Sequence, residues 1–454
     1  MENRFIHKLE KVQRSLSQTQ IIAIGFMSII LLGTFLLMLP VSSREGEVGN
    51  VLHCFFTAVS ATCVTGLVVY DTWLHWSIFG QLVIIVMIQI GGLGFVTIGI
   101  FLSMILHRKI GLKVRGLMQE SVSMPKLGGM VKLAKRIVLG SLLIEGVGGV
   151  ILSIRFVPEY GIVRGIYYGF FHSVSAFCNA GFDLMGHQGA YSSLVNYYDD
   201  WIVNLVIMGL IMVGGIGFLV WSDVIDHGLK FRKYLLHTKI VLIVSTILLL
   251  GGSGLFYLFE RNNLLADMSI SGKILTSLFN AVTTRTAGFN TVDMAALTEA
   301  SKLLDTVLMF IGGGPGSTAG GIKVTTVAVM YLSVWSTIRG TAAVNVLGRR
   351  LDDNAFRRAG AVFMINITLA LGAAFLILSM HSFEMPDVFL ETFSAISTVG
   401  ISTGITRDMN VAEEVILALL MYLGRVGSMS FALALMQSKQ VVHVKQPVEQ
   451  ISIG

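Results

Sequence analysis

Four stretches of this chain share a glycine whose neighbours vary. "SATCVTGL" (60–67), "SAFCNAGF" (175–182), "VTTRTAGF" (282–289) and "SAISTVGI" (394–401) align without gaps, each with glycine in seventh place. Gly66, Gly181, Gly288 and Gly400 stand 115, 107 and 112 residues apart. Where side chains change and glycine does not, the shared chemistry is that of the backbone. Glycine enters conformations that a Cβ penalises, so successive carbonyls can turn toward one axis. A ring of such carbonyls can replace the hydration shell of a cation. The candidate ligands are the carbonyls of Thr62, Cys63, Val64, Thr65 and Gly66, and of Phe177, Cys178, Asn179, Ala180 and Gly181. Their counterparts are Thr284, Arg285, Thr286, Ala287 and Gly288, then Ile396, Ser397, Thr398, Val399 and Gly400.

A second glycine motif follows each of these: "GGLGF" (91–95), "GGIGF" (214–218), "GGGPG" (312–316) and "GRVGS" (424–428). Close helix packing explains any one of them, but four at matched register point to a shared lining of a path. The third expands into "IGGGPGSTAGGIK" (311–323), with six glycines and Pro315 within eleven residues. Glycine costs about 1 kcal/mol against alanine in a helix and proline about 3, so this stretch interrupts its helix and must line a cavity or move. Gly316, Gly321 and Lys323 imitate a phosphate-binding loop. Ile322 intervenes, however, and Val324 stands where Ser or Thr should bind magnesium, which argues against a nucleotide site. Arg425 replaces the glycine found at 92, 215 and 313. A fixed charge there either raises the barrier to cations or hydrogen-bonds the carbonyls of 312–321. The plainer alternative is an ion pair with Glu145.

The elements that must position these residues are membrane helices. The chain is 54% hydrophobic and 13% charged, well below the charge content of soluble domains. Apolar runs near 20–40, 137–157, 240–259 and 359–380 are long enough to cross a ~30 Å hydrocarbon core. Inner helices are expected near 77–106, 201–222, 303–337 and 411–436. Between each pair lies an apolar segment too short to span, read as a re-entrant helix. The expected fold is an all-α polytopic membrane protein, with four helix–loop–helix repeats arranged pseudo-fourfold about one pore. The boundaries are an N-terminal segment 1–19, repeats at 20–115, 116–235, 236–345 and 346–438, and a tail 439–454.

The net charge of +6 is concentrated in three inter-helix loops: Arg108, Lys109, Lys113, Arg115, Lys126, Lys132, Lys135 and Arg136; then Lys230, Arg232, Lys233 and Lys239; then Arg339, Arg349, Arg350, Arg357 and Arg358. With Arg4, Lys8, Lys11 and Arg14, this bias places both termini and the basic loops in the cytoplasm and argues against nucleic acid as a partner. Cys54, Cys63 and Cys178 have no metal spacing, and no acid/base dyad or covalent nucleophile stands out.

Over nearly its full length the chain resembles the Trk/Ktr/HKT superfamily of potassium transporters. The carrying motifs are "SATCVTGL", "FHSVSAFCNAGF", "TTRTAGFN", "ETFSAISTVG" and "GGGPGSTAGGIK", and the chain looks most like the membrane subunit of bacterial Ktr systems. The resemblance implies potassium uptake at the plasma membrane, a homodimer, and a cytosolic nucleotide-binding regulatory ring of a separate polypeptide. It makes Gly312, Gly313, Gly314, Pro315, Gly316, Ser317, Thr318, Ala319, Gly320, Gly321 and Lys323 an intramembrane gate, with Arg425 beside them. Serine at the first filter glycine goes with sodium permeation in this family. Gly66 therefore favours potassium as substrate, with sodium activation known for some members and no covalent cofactor. The competing readings are the potassium-binding subunit of an ATP-driven pump, a cation/proton symporter, and a membrane nucleotide hydrolase using 316–323.

Several buried polar residues carry separate expectations. Arg285 should point behind its segment, braced by an acidic residue, since a charge on the axis would repel cations. Glu145 should serve a structural pairing, and Asn366, Asn204 and Gln89 interhelical hydrogen bonds. Asp183 and Asp293 lie just past filter-like glycines, where they either concentrate cations or belong to solvated loops.

Overall fold

The computed structural model describes residues 17–107, 110–122, 128–341, 343–352 and 354–427. Arg4, Lys8, Lys11, Arg14, Arg108, Lys109 and Lys126 lie outside the described residues, as do the tail 439–454 and positions 428–436 of the fourth inner helix expected from the sequence.

Four long apolar helices frame the molecule: α1 (Gln18–Met38), α6 (Met130–Tyr160), α10 (Leu236–Glu260) and α14 (Ala355–Met380). After each comes a shorter helix: α2 (Val51–Cys63), α7 (Ile162–Phe177), α11 (Ile270–Thr283) and α15 (Met385–Ser397). Many helices start where a side chain can accept an orphan backbone N–H, which has no water to turn to at membrane depth. Ser17, Asn50, Ser269 and Asn410 do this, the first and last in reciprocal capping boxes with Gln20 and Glu413.

The inner helices depart from the expected continuous spans. The first is split into α3 (Ile78–Leu93) and α4 (Phe95–Ile105), bent by 93° and followed by the short α5 (Leu112–Ser121), and the second into α8 (Trp201–Gly215) and α9 (Phe218–His227), bent by 96°. Gly94 and Gly217, at φ 79° and 102°, occupy the breaks. These are the fourth residues of "GGLG" and "GGIG", so the motif ends a helix as well as permitting close packing. The third inner helix is α12 (Glu299–Phe310), followed by the glycine loop and α13 (Val324–Ile338). The fourth, α16 (Val411–Val426), ends at Gly427 with φ 92°. By length and apolarity alone, four helices qualify as spans among the described residues, or six with the two bent pairs.

Packing follows one cyclic order. Each long helix lies along its own short helix, α1 on α2, α6 on α7, α10 on α11 and α14 on α15. Each inner helix also touches the short helix of the next unit: α3 on α7, α8 on α11, α12 on α15, and α16 back on α2. The short helices are consequently the most buried, while Leu32, Phe35, Leu143, Ile247 and Phe375 of the long helices are exposed. Such an apolar periphery suits a lipid environment.

Candidate functional site

Each short helix runs into one of the glycine segments through the same backbone turn. The residue two before the glycine is left-handed in all four: Val64 (φ 59°), Asn179 (φ 60°), Thr286 (φ 76°) and Thr398 (φ 49°). The glycines follow at φ 99°, 69°, 84° and 92°. Non-glycine residues held there cost roughly 1–3 kcal/mol each, and such strain persists where the surroundings over-determine it. Three of the four are β-branched, for which positive φ is least tolerated.

Hydrogen bonds turn the amides back toward the short helices. Thr65 N donates to Ser60 O, Ala180 N to Ser175 O and Val399 N to Ser394 O, at 2.8, 2.8 and 2.9 Å. Gly66 N and Gly400 N donate to the hydroxyls of Ser60 and Ser394, each at 3.0 Å. The third segment differs: Val282 replaces that serine, and Ala287 N reaches Thr283 O.

The glycines then close a ring. A Cβ on Gly66 would collide with the carbonyl oxygen of Ala180, one on Gly181 with Ala287, one on Gly288 with Val399, and one on Gly400 with Thr65. This is the same cyclic order in which the helices pack. On one side of the ring, a cavity of about 90 Å³ is lined by all four glycines with Asp71, Asp183 and Arg407. Burial and the neighbouring Asp71 push the Asp183 carboxyl up to about 7, against an opposing hydrogen bond from Met185 N. Asp293 is not among the residues lining that cavity and instead accepts a hydrogen bond from Ala295 N. Asp71 accepts from Tyr191 N at 2.8 Å, and Arg407 lies 4.1 Å over the Tyr191 ring.

On the other side, a cavity of about 290 Å³ is lined by Gly91, Gly92, Gly320, Lys323, Glu120 and Arg425, among others. Gly91, Gly214 and Gly424 open the second motif in three units, and a Cβ on each would collide with the carbonyl of Thr62, Phe177 or Ile396 respectively. In the third unit Gly312 meets the carbonyl of Gly320 instead, because the glycine loop folds back there.

That loop is a closed excursion, not a frayed helix. Its neck is pinned by a parallel bridge between Ile311 and Ile322, with Gly312 N donating to Ile322 O (2.9 Å) and Val324 N to Gly313 O (3.1 Å). Gly314 N donates to Gly215 O at 2.8 Å, and Phe218 N to Gly316 O at 2.8 Å, tying the loop to the break in the second inner helix. Thr318 Oγ1 donates to Phe177 O at 3.2 Å, and a Cβ on Gly320 would overlap Thr398 and the Ser397 carbonyl. The loop thus touches the second and fourth segments from beneath.

Two cationic side chains occupy its carbonyls. Lys323 Nζ donates to Ala319 O (2.7 Å) and Gly320 O (3.2 Å). Arg425 donates to Thr318 O and Gly91 O, and to Gly92 O at 3.1 Å. Arg425 therefore bonds loop carbonyls and does not pair with Glu145.

Other expectations need correction. Arg285 points behind its segment, but its partner is Ser245, through Oγ at 2.9 Å and O at 3.4 Å, rather than a carboxylate. By contrast, Glu145 has the expected structural pairing and Gln89 the expected interhelical hydrogen bond: the Gln89 amide lies 3.0 Å from both Glu145 oxygens and ties α6 to α3, without a basic residue. Asn204 donates to Tyr197 O and Asp200 O at the start of its own helix rather than across helices. Asp71, Arg407, Gly94 and Gly217 escaped the sequence reading. The fourth-place glycine shared by "GGLG", "GGIG" and "GRVG" could have revealed the helix breaks.

Comparison with known proteins gives one consistent answer. Residues 4–443 match the family model described as TrkH, cation transport protein. The chain is 38% identical over 437 residues to Ktr system potassium uptake protein B of Bacillus subtilis, covering 96% of each chain. It is 37% identical over 453 residues to potassium/sodium uptake protein NtpJ of Enterococcus hirae, covering 98% of this chain and 99% of that one. The crystal structure of the potassium transporter TrkH from Vibrio parahaemolyticus has the same fold, with a TM-score of 0.70 at 17% identity over 91% of this chain and 84% of that one.

Proposed function

The chain belongs to the TrkH family of cation transport proteins, and from that premise we propose that it takes up potassium through a pore on the axis of its four glycine segments. It is a multi-pass membrane protein and not an enzyme. The single observation that carries the pore reading is the closed ring from Gly66 through Gly181 and Gly288 to Gly400, each glycine set against the carbonyl of the next segment.

On this reading the units 20–115, 116–235, 236–345 and 346–438 are the four repeats around the axis. Carbonyls of 62–66, 177–181, 284–288 and 396–400 replace the hydration shell of the ion, with no carboxylate on the axis. Asp71 and Asp183 face the entrance. Lys323 and Arg425, bonded to the carbonyls of 318–320, hold loop 312–321 beneath the ring as a gate. A positive charge near the path opposes a cation by about 3 kcal/mol at ~5 Å with an effective dielectric near 20, enough to slow passage without sealing it. The basic loops and both termini lie on the cytoplasmic side. The names of the Ktr-system relatives support a partnership with a separate regulatory component, here taken as a cytosolic nucleotide-binding ring acting on a homodimer.

The test is flux into proteoliposomes containing the full chain, measured separately for potassium and sodium. Potassium should pass well above sodium. Equal passage of both ions would overturn the carbonyl-ring assignment.

A further inference from the structure

We propose that the Asn179 side chain is a positioning strut that joins the second segment of the ring to the third and to loop 312–321, so that discrimination between ions depends on how the loop is seated. This rests on the pore reading above and assigns Asn179 a role beyond its backbone carbonyl.

Asn179 is 1% exposed, and its left-handed backbone turns the amide away from solvent. The amide lies 3.2 Å from the Thr286 hydroxyl of the third segment. From the loop, Thr318 Oγ1 reaches both Asn179 Oδ1 at 3.3 Å and the Phe177 carbonyl at 3.2 Å. The orientation of an amide is assigned from its hydrogen bonds. Turned the other way, the Asn179 nitrogen donates to the carbonyls of Ala176, Phe177 and Ile211 at 3.3 Å, while its oxygen accepts from Thr286. The surrounding donors and acceptors favour this second orientation, in which the contact with Thr286 stands and Asn179 meets the loop at the Phe177 carbonyl, which its nitrogen shares with the Thr318 hydroxyl.

The equivalent positions show what is special here. Val64 has no polar side-chain atom, and the Thr398 hydroxyl is buried without a hydrogen-bond partner. Thr286 receives the strut. Asn179 thus links two neighbouring segments to each other, and it meets the loop below through the Phe177 carbonyl that it shares with Thr318. The loop's other footing, Gly320, rests on the fourth segment, opposite the second in the cycle. Displacing the loop removes the Thr318 hydroxyl from the Phe177 carbonyl, one of the candidate ion ligands, and leaves that carbonyl to the Asn179 amide alone. Ring geometry and loop position are then coupled reciprocally. Because the Phe177 carbonyl stands at the inner end of the ring, the coupling acts where an ion would leave it.

The experiment compares potassium and sodium flux ratios for the full chain in proteoliposomes. Asn179→Gly deletes the strut while tolerating positive φ. Thr318→Val removes the hydroxyl at nearly constant shape, and Thr318→Ser retains it. Losing one such hydrogen bond should lower the potassium-to-sodium ratio by up to about tenfold, in Asn179→Gly and in Thr318→Val alike. The double variant should fall no further than either single one, and Thr318→Ser should keep the parent ratio. If Asn179→Gly does not fold, the Thr318→Val and Thr318→Ser pair decides. A Thr318→Val protein with altered total flux but an unchanged ratio overturns the strut, as does Asn179→Gly with full discrimination. A parent chain that does not discriminate overturns the pore reading itself, and the strut with it.

Discussion

The two faces of the glycine ring are built on opposite principles. At the mouth, Asp71 and Asp183 line the cavity, and the one cation there, Arg407, is stacked on Tyr191. Beneath the ring, Lys323 and Arg425 are bonded to backbone carbonyls of loop 312–321 and of Gly91 and Gly92. On the pore reading proposed above, the same kind of group, a carbonyl oxygen, is left to the ion in the ring and capped by a tethered cation below it. On that reading, one fold makes a cation site and a cation barrier from the same backbone by choosing which carbonyls to cap.

The ring is where a change should cost most. Gly288→Ala sets a Cβ against the Val399 carbonyl and forces alanine into positive φ. Strain of roughly 1–3 kcal/mol in a rigid ring predicts flux reduced on the order of 100-fold, read as potassium uptake normalised to folded protein. A near-normal rate would mean the ring is not the path. Below the ring the sign reverses. Arg425→Gln removes the charge but keeps an amide that can still meet a carbonyl; with Lys323 and the loop still in place, only about 1.4 kcal/mol of that opposition should reach the rate, so basal potassium flux should rise on the order of tenfold. Unchanged flux and unchanged regulation would reduce Arg425 to a packing residue.

The mouth should give the smallest effect and a pH signature. The Asp183 carboxyl, pushed up to about 7 by burial and by Asp71, is charged above that pH and neutral below it. Half-saturation by external potassium should therefore be a few-fold lower at an external pH near 8 than near 6, for a charge interacting across a solvated mouth. Asp183→Asn should erase this difference, and its persistence in that variant would assign the titration elsewhere.

How much of this was legible in the sequence follows from what each feature depends on. The four filter-like glycines were readable because a backbone conformation constrains its own residue, whatever surrounds it. The address of Arg425 beside 312–321 was readable from the register of the glycine motifs. Its acceptors on Gly91 and Gly92 were not, because they come from a segment more than 300 positions away. Arg285 was expected to find an opposite charge and Glu145 an unnamed structural partner, and Ser245 and Gln89 satisfy them. Periodicity says that a buried polar group needs a partner and not which neighbour supplies it. The first two inner helices were read as straight because Gly94 and Gly217 sit inside uninterrupted apolar runs, where hydropathy does not register a 90° bend. The third unit was the most informative exception, since its extra glycines announced a loop that the other units lack.

The central claim is that ions bind on the axis of the carbonyl ring. Crystals of the full chain grown in rubidium or thallium, with anomalous difference maps, test this most directly. The account predicts peaks on the axis between the carbonyls of the 62–66, 177–181, 284–288 and 396–400 segments, weakened when sodium replaces the heavier ion. Anomalous peaks confined to the Asp71 and Asp183 mouth, with none inside the ring, would contradict it.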